Sequence, residues 1–485
     1  MHHPCETLTK GARVPVPRLA ALACLVMAAL VTLPAAAQIR AVPENREQVQ
    51  LSFAPLVRRA SPAVVNVITK RIVAERRNVS PLFDDPFFRR FFGDAIPNEP
   101  RQHEEGSVGS GVIVSPDGLI VTNHHVIEGA TEIRVVLADR REFEAKLVRD
   151  DERTDLAVLR VDNGRTPMPF LELANSDELE VGDLVLAIGN PFGVGQTVTS
   201  GIVSGLARTN VGITDFNFFI QTDAAINPGN SGGALVTMDG KLAGVNTAIF
   251  SKSGGNQGIG FAVPANMVRT VVASVDGGGT RLVRPWLGAS VQDVDVEISQ
   301  ALGLERPFGV LIAELHADGP ARRAGLQKGD VVVSVNGQPV ADVGALRFRI
   351  ATAEMGSSAE VGVLRKDRST MVNMDVEPPP EVPSRDRTLL AGRQPLACAT
   401  VLNLSPAVAD EFSLSVLATG VIVSALEPNS PARRFGFRPL DRIVTVNGQP
   451  VDSVARLRDL LSAPAQQWVL TIERRGKTFN VTLPG

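Results

Sequence analysis

The C-terminal half of this 485-residue chain repeats itself. Residues 320–340 and residues 431–451 lie 111 positions apart and are identical at 13 of 21 positions. Each copy has the pattern of a short helix, a turn, a strand and an Asn-Gly turn. Two copies are too few for a solenoid, in which every repeat is buried against its neighbours. The repeat therefore predicts two separate small domains of similar fold.

Composition indicates a globular, strand-rich chain. Hydrophobic residues make up 44% and charged residues 21%, which excludes an intrinsically disordered protein. The 43 glycines and 33 prolines indicate many turns. The formal net charge is −3 and there is no basic block, so we expect that nucleic acid is not a main partner.

Residues 1–37 are typical of a secretory signal peptide. Three cations, at positions 10, 13 and 18, precede an apolar run over residues 19–33, and small residues follow as far as Ala37. This run is shorter than the ~20 residues that a membrane-spanning helix needs. We therefore expect cleavage after Ala37 and a periplasmic mature protein. The alternative is an uncleaved N-terminal anchor.

The predicted signal segment contains two of the three cysteines. Cys5 and Cys24 lie within it, so the mature chain keeps Cys398 alone and no internal disulfide is expected. We expect Cys398 to be a small buried apolar residue.

Residues 52–263 have the pattern of short strands joined by turns. Two apolar segments, residues 111–114 and 119–122, flank a Ser-Pro-Asp-Gly sequence and predict a hairpin. Further strands are predicted over residues 133–137, 156–161, 184–188 and 242–249. Because strands do not alternate with long helices, the sequence favours an all-β double barrel or sandwich over a doubly wound α/β fold.

Residues 227–233, with the sequence Asn-Pro-Gly-Asn-Ser-Gly-Gly, have the composition of a nucleophile turn. A serine nucleophile needs an exposed hydroxyl on a tight turn, with backbone N–H groups directed at the developing oxyanion. We expect Ser231 to be the nucleophile, and the N–H groups of Gly229 and Ser231 to form the oxyanion hole. Since no long helix follows, the nucleophile elbow of α/β-hydrolases is disfavoured.

A nucleophilic serine also needs a histidine base and an acid that orients it. His124 and His125 directly follow the predicted hairpin, and Asp155 directly precedes the strand predicted over residues 156–161. The order His, Asp, Ser is that of chymotrypsin-like barrel enzymes. The residues thus predict a serine protease site. A metal site on the adjacent histidines lacks a third ligand, so neither a metal nor an organic cofactor is expected.

On these motifs the chain resembles the HtrA/Deg family of serine proteases. The matching segments are residues 122–127, 154–159 and 229–235, and the two repeats resemble that family's paired PDZ domains. The resemblance covers nearly all of the mature chain. It implies a mostly β protein, in which a chymotrypsin-like double β-barrel protease domain is followed by two PDZ domains. It also implies that His125, rather than His124, is the base.

The resemblance implies five segments. They are a signal peptide (1–37), a trypsin-like serine protease domain (38–280), the first PDZ domain (281–378), a Pro-rich linker (379–394) and the second PDZ domain (395–485).

Specificity can be predicted in part. Trypsin-like enzymes that cut after Lys or Arg carry an Asp six residues before the nucleophile, and here that position is Ala225. By resemblance the primary (S1) pocket wall lies at residues 247–250, so Ile249 and Phe250 are candidates to narrow it toward small aliphatic side chains. Arg208 matches a regulatory sensor-loop arginine. The aromatic-rich residues 83–92 match a long loop involved in regulation and cage assembly.

The start of each PDZ domain predicts its ligand. Trp286, Leu287, Gly288 and Ala289 resemble a carboxylate-binding loop, in which Gly allows close approach of the backbone. The corresponding residues 397–400 lack that Gly. We therefore expect C-terminal peptides to bind the first PDZ domain, and the second to serve assembly. The resemblance further implies a homotrimer and larger cages.

The implied function is that of an ATP-independent periplasmic serine endoprotease. It would degrade unfolded or damaged proteins in the stress response and in protein quality control, with chaperone activity as a second role. Two alternatives stay open: a chaperone or peptide-binding scaffold with a latent protease, and a membrane-anchored regulatory protease.

Overall fold

A computed structural model describes most of the chain. The described residues are 52–73, 103–191, 195–209, 216, 218–227, 229–249, 257–275, 282–366 and 368–484. Residues 55–485 form one compact unit. The predicted signal segment and the aromatic-rich residues 83–92 lie outside the described residues. In the part of the chain that the structure describes, none of the helices has both the length and the apolar character needed to span a bilayer.

Two closed antiparallel barrels form the first part of the compact unit. The first has the strand order β1-β2-β3-β6-β5-β4 and contains β1 (Val64–Val73), β2 (His103–Ile113), β3 (Leu119–Thr122), β4 (Glu132–Val136), β5 (Glu142–Asp151) and β6 (Leu156–Val161). The second has the order β10-β11-β12-β9-β8-β7 and contains β7 (Leu184–Gly189), β8 (Thr197–Arg208), β9 (Phe219–Thr222), β10 (Ala234–Thr237), β11 (Leu242–Ile249) and β12 (Gly260–Pro264).

Helices are short in this region. They are α1 (Ala54–Ala60), α2 (His124–Ile127) and α3 (Ala265–Ala273), with 3-10 turns at Ser61–Ala63, Glu152–Thr154 and Ser176–Glu178. The predicted double barrel and hairpin are confirmed, and β3, β6 and β11 have the predicted bounds. Six further strands, β1, β5, β8, β9, β10 and β12, were not predicted.

Two antiparallel sheets with flanking helices follow the barrels. The first has the order β13-β14-β15-β17-β18 and contains β13 (Ala289–Asp293), β14 (Val310–Leu315), β15 (Val331–Val335), β16 (Gln338–Pro339), β17 (Ser358–Arg365) and β18 (Arg368–Asp375), with helices α4 (Val296–Ala301), α5 (Pro320–Arg323) and α6 (Val343–Ala351). The second has the order β19-β20-β21-β22-β24-β25 and contains β19 (Thr388–Leu389), β20 (Ala399–Asn403), β21 (Val421–Leu426), β22 (Arg442–Val446), β23 (Gln449–Pro450), β24 (Gln467–Arg474) and β25 (Lys477–Pro484), with helices α7 (Pro406–Glu411), α8 (Pro431–Arg434) and α9 (Val454–Ser462).

The sequence repeat corresponds to the predicted helix, strand and turn in both domains. Asn336 and Asn447 have φ of 49° and 50°. This left-handed conformation is tolerated by Asn better than by most residues, and it allows the tight Asn-Gly turn. The repeat is therefore a structural one. β19, by contrast, lies in the segment predicted to be a linker.

Helix α6 belongs to two cores. Leu346 and Ile350 are buried in the apolar cluster of the first PDZ sheet. Phe348 is buried in the cluster of the barrels, where its ring stacks on Phe218 with a centroid separation of 3.8 Å. Burial of a phenyl side chain contributes about 2–3 kcal/mol, so this helix fixes the first PDZ sheet to the second barrel.

Candidate active site

His125 and Asp155 come together at the edge of the first barrel. His125 lies on α2, immediately after β3, and Asp155 follows the 3-10 turn that precedes β6. His125 Nδ1 is 2.9 Å from Asp155 Oδ1 and 2.8 Å from Oδ2. The His125 backbone N–H also donates to Oδ1, at 3.1 Å. This carboxylate therefore fixes the orientation of the imidazole ring.

Asp155 is held by three further features. Its backbone is left-handed, with φ of 56°, and the side-chain amide of Asn123 donates to its carbonyl at 2.9 Å. The hydroxyl of Thr247 donates to Oδ2. Burial acts to raise the pKa of Asp155, but the charge of His125 and hydrogen bonds from His125 and Thr247 outweigh it, so the pKa lies below its usual value. Asp155 is thus a buried anion at neutral pH.

Ser231 lies on the second barrel, three residues before β10. Its hydroxyl donates to the carbonyl of Thr247 at 3.2 Å. Among the described residues no hydrogen bond joins this hydroxyl to His125. Catalytic hydrogen bonds are often loose in the free enzyme, and a rotation about χ1 redirects a serine hydroxyl. In this structure the histidine–aspartate pair is formed, and the Ser231 hydroxyl is bonded to Thr247 O rather than to His125.

The turn around Ser231 leaves two N–H groups available. Gly229 and Gly232 have φ of 94° and 81°, a conformation that favours glycine. Gly232 N–H donates to Asn246 O at 2.8 Å, whereas the N–H groups of Gly229 and Ser231 donate to none of the described residues. Both predicted oxyanion donors are therefore free to bind a ligand.

Ser110, on β2, joins the two barrels at this turn and was missed from the sequence. Its N–H donates to Ser231 O at 2.9 Å, and its hydroxyl donates to Gly229 O. The same hydroxyl accepts from Asn190 N–H at 2.8 Å. Sequence offered no signal for this role, because the partners are far apart along the chain. Asn123 could have been found, since it directly precedes the histidine pair.

A buried ion pair lies beside the Asp155 turn. Arg284, at the start of the first PDZ domain, pairs with Asp151, and their side chains are only 5% and 7% exposed. Asp151 also accepts from the Thr154 hydroxyl. These residues connect the catalytic-site turn to the chain entering the PDZ domain. They are 133 positions apart, and local sequence patterns do not predict such a pair.

The predicted specificity and regulatory residues are placed only in part. Ile249 ends β11, but its side chain lies outside the described part of the structure, and so does the whole of Phe250. Thr247, from the predicted pocket wall, contacts Asp155 instead. Arg208 ends β8, is exposed, and donates from Nε to Gln221 Oε1 at 2.9 Å. The roles of Ile249, Phe250 and Arg208 stay predictions.

The predicted carboxylate-binding loop precedes β13. Gly288 has φ of 70°, and its carbonyl accepts from His316 N–H at 2.8 Å. The Trp286 ring contacts the His316 ring edge-on, at 5.4 Å. The N–H groups of Leu287 and Gly288 donate to none of the described residues. Among the described residues, the loop before Ala289 thus has two N–H groups without an acceptor at a sheet edge, as carboxylate capture requires.

His124, adjacent to the predicted base His125, forms a second histidine–aspartate pair. Its Nδ1 is 2.6 Å from Asp150 Oδ1, and the two side chains are 17% and 38% exposed. The hydrogen bond that His124 donates to Asp150 raises the pKa of His124, although burial opposes the rise. Asp150 thus stabilises the protonated form of His124.

This pair predicts a pH-dependent stability. Because the folded pKa is raised, the stabilisation is fully present below the unfolded value of about 6.5 and is lost as pH rises through the folded pKa. We expect His124→Asn to lower the free energy of unfolding by about 0.5–1 kcal/mol at pH 5.5 and much less at pH 9, as measured by thermal unfolding. Asp150→Asn should behave in the same way. Equal losses at both pH values would contradict the assignment.

Gly232 predicts a large steric effect. A Cβ added there would lie 2.1 Å from Ser110 O and 2.5 Å from Thr122 Oγ1. Since Ser110 O is fixed backbone that accepts from the Thr122 hydroxyl at 2.7 Å, the turn must move. We expect Gly232→Ala to lower the free energy of unfolding by about 3 kcal/mol, visible as a lower Tm.

Gly258→Ala is the matched control for this substitution. Gly258 has φ of 79°, close to that of Gly232, but among the described residues a Cβ there meets nothing within 4 Å. It therefore carries the backbone strain without the clash, and should cost about 1 kcal/mol. Equal losses in both variants would show that the clash at Gly232 is relieved.

Comparisons with known proteins agree with this geometry. Residues 109–245 match the model of a trypsin-like peptidase domain, and residues 285–376 and 422–474 each match a model of the PDZ domain. The chain is 36% identical over 445 residues to the periplasmic serine endoprotease DegP of Salmonella typhimurium, covering 87% of this chain and 90% of that protein. It is 36% identical over 431 residues to the periplasmic pH-dependent serine endoprotease DegQ of Escherichia coli, covering 88% of this chain and 90% of that one.

A solved structure gives the same assignment. The HtrA-type protease AlgW with tripeptide is 40% identical, with a TM-score of 0.50, and the match covers 69% of this chain and 99% of that one. The chain belongs to the HtrA/Deg family and is a trypsin-like serine endopeptidase with two PDZ domains.

Proposed function

We propose that this chain is an ATP-independent endoprotease that degrades unfolded or damaged proteins in the periplasm through a triad of Ser231, His125 and Asp155. The observation that carries the proposal is the short contact between His125 Nδ1 and Asp155 at the junction where the Ser231 turn presents two free N–H groups. The relatives named periplasmic serine endoproteases support the compartment and the reaction.

The proposed mechanism follows from the positions of these groups. The Ser231 hydroxyl turns from Thr247 O toward His125 Nε2, which takes its proton as Oγ attacks the scissile carbonyl. The N–H groups of Gly229 and Ser231 stabilise the oxyanion that forms. His125 then donates its proton to the leaving amine, and water hydrolyses the acyl-enzyme. Asp155 keeps Nδ1 protonated and stabilises the imidazolium.

Substrate capture is assigned to the first PDZ domain. The free N–H groups of Leu287 and Gly288 would bind the terminal carboxylate of an unfolded chain, whose preceding residues pair with β13. Tethering raises the effective concentration of substrate at the barrels. In the active site we propose a preference for small aliphatic side chains, limited by Ile249 and Phe250, and regulation through Arg208. The assembly proposed from the family resemblance is a homotrimer that forms larger cages.

Cleavage of unfolded casein tests the proposal. The mature protein should cleave casein, and a fluorophosphonate should stop cleavage by modifying Ser231, as located by mass spectrometry of the labelled peptide. If neither cleavage nor labelling occurs while the protein still suppresses aggregation of an unfolded client, it is a chaperone or scaffold.

The compartment has its own test. N-terminal sequencing of the exported protein should give a start at Gln38. A retained segment 1–37 would instead identify a membrane-anchored regulatory protease.

A further inference from the structure

The second PDZ sheet has a strand that the first lacks among the described residues. β19 pairs antiparallel with β20, with Thr388 opposite Val401 and Leu389 opposite Thr400. In the first sheet the corresponding edge strand, β13, is paired only with β14 in the described part of the chain. A peptide bound to a PDZ domain adds as a strand to this same edge. β19 therefore lies where a ligand would lie.

The loops before β13 and β20 are equivalent. The Gly288 carbonyl accepts from His316 N–H at 2.8 Å, and the Cys398 carbonyl accepts from Glu427 N–H at 3.1 Å. Gly288 and Cys398 have φ of 70° and 62°. The second loop lacks the predicted glycine, yet Cys398 adopts the glycine-like conformation and is partly exposed rather than buried. The carboxylate-binding loop is thus preserved in shape.

The N–H group of that loop already has an acceptor. Cys398 N–H donates to Leu390 O at 2.8 Å, and Leu390 N–H donates to Ala399 O at 2.9 Å. Residues 385–390 run antiparallel to β20, which is the direction of a bound peptide. Leu390 lies at the loop, which is the position of the last residue of a peptide ligand. The Leu390 carbonyl therefore takes the place of a ligand's carboxylate, whereas the N–H of Gly288 in the first domain is free among the described residues.

The side chain of Leu390 also behaves as that of a terminal ligand residue. It is 4% exposed and belongs to the same apolar cluster as Leu457 and Leu461 of α9. Leu389, its neighbour, is 54% exposed, as the alternation of a strand requires. The pairing continues upstream, where Asn403 N–H donates to Arg385 O at 2.8 Å. Residues 385–390 thus contact the whole length of β20.

We propose that the second PDZ domain is a masked site for peptide C-termini, occupied by residues 385–390 of the same chain as a built-in ligand. The external ligand that fits is a peptide with a free carboxylate and an apolar last residue. It binds only when the built-in segment is displaced, so its apparent affinity is lowered by the fraction of open domain. The inference is independent of the proposed proteolytic function.

A peptide copied from the segment provides the test. Arg-Asp-Arg-Thr-Leu-Leu with a free carboxylate is titrated calorimetrically into the full mature chain carrying Ser231→Ala, which prevents hydrolysis. We expect the Leu390→Ala chain to bind one additional peptide at the second PDZ domain, because the vacated pocket accepts the leucine of the peptide. Its apparent affinity at this site should be about 10-fold tighter or more than that of the chain with Leu390. The C-terminal amide of the same peptide should not bind the new site.

Two further variants keep the test decisive. Leu389→Ala is the matched control, since it removes an exposed leucine one residue away and should gain no site. Thr388→Pro opens the groove by another route, because proline cannot donate to the strand pairing, and should gain the same site. Hydrogen exchange should place the new peptide protection at residues 398–403. The proposal is overturned if the unsubstituted chain binds at 398–403 as tightly as the opened variants do, or if both opened variants stay folded and bind there no more tightly than the unsubstituted chain.

Discussion

Replacing Ser231 by Ala is expected to lower kcat for cleavage of unfolded casein by about 10⁶-fold. The substitution removes the attacking oxygen and leaves everything else in place. The His125–Asp155 contact is independent of Ser231, and the N–H groups of Gly229 and residue 231 are retained. Some acceleration over water should therefore persist, from the oxyanion donors and from substrate binding, of about 10³–10⁴.

The fold should not change with that loss. The Ser231 hydroxyl makes one described hydrogen bond, at 3.2 Å to a carbonyl, so Tm should stay within about 2 °C of the unsubstituted protein. Ser462→Ala is the matched control: its hydroxyl donates to Asp459 O on α9, and casein cleavage should be unaffected. Retention of more than about 1% of kcat, in protein free of contaminating protease, would show that Ser231 is not the nucleophile.

Short-range patterns of the sequence single out all three candidate residues of the site. Ser231, His125 and Asp155 each lie in a segment whose chemistry is evident within a few residues: a glycine-rich turn, the end of a hairpin and the start of an apolar strand. The structure brings His125 and Asp155 together at about 2.8 Å, and it turns Ser231 toward Thr247. Hydroxyl orientation depends on side-chain rotation, which sequence patterns do not report.

Contacts between distant segments could not be predicted from the sequence. Ser110, Thr247 and Arg284 each act through partners contributed by another barrel or domain, and a polar residue in a strand has the same local pattern whether or not it serves such a contact. β9 and β10 have four residues each, too few to show an alternation. β19 follows a Pro-rich stretch, and such a stretch predicts a linker. The strand forms because it pairs with β20 of the second sheet, which a local pattern does not show.

Asp155→Asn is expected to lower kcat by about 10⁴-fold with little change in fold, because the two side chains have nearly the same shape. Oδ1 of Asp155 accepts from the His125 backbone N–H, and Oδ2 accepts from the Thr247 hydroxyl. In asparagine one of these oxygens becomes an NH₂ group facing His125 Nδ1. The ring then carries its proton on Nε2 and cannot accept the proton of Ser231.

The loss of charge adds to the loss of the correct tautomer. The pKa of Asp155 is lowered, against the effect of its burial, by the His125 charge and by the bonds from His125 and Thr247. By reciprocity the ionised carboxylate stabilises the imidazolium that forms as Ser231 attacks. Asparagine supplies no such charge, so the decrease should appear mainly in kcat and leave KM within a few-fold, which steady-state kinetics on a short peptide can separate.

Thr247→Val is the variant with which the decrease of kcat in Asp155→Asn is compared. Valine keeps the shape of the buried threonine and removes one hydrogen bond to a carboxylate that retains its others, so kcat should fall only about 10-fold. Asp155→Asn must exceed it by orders of magnitude if the carboxylate sets the tautomer of His125. If the two variants lose activity equally, Asp155 acts through packing around the ring, and the orientation of His125 must come from its backbone.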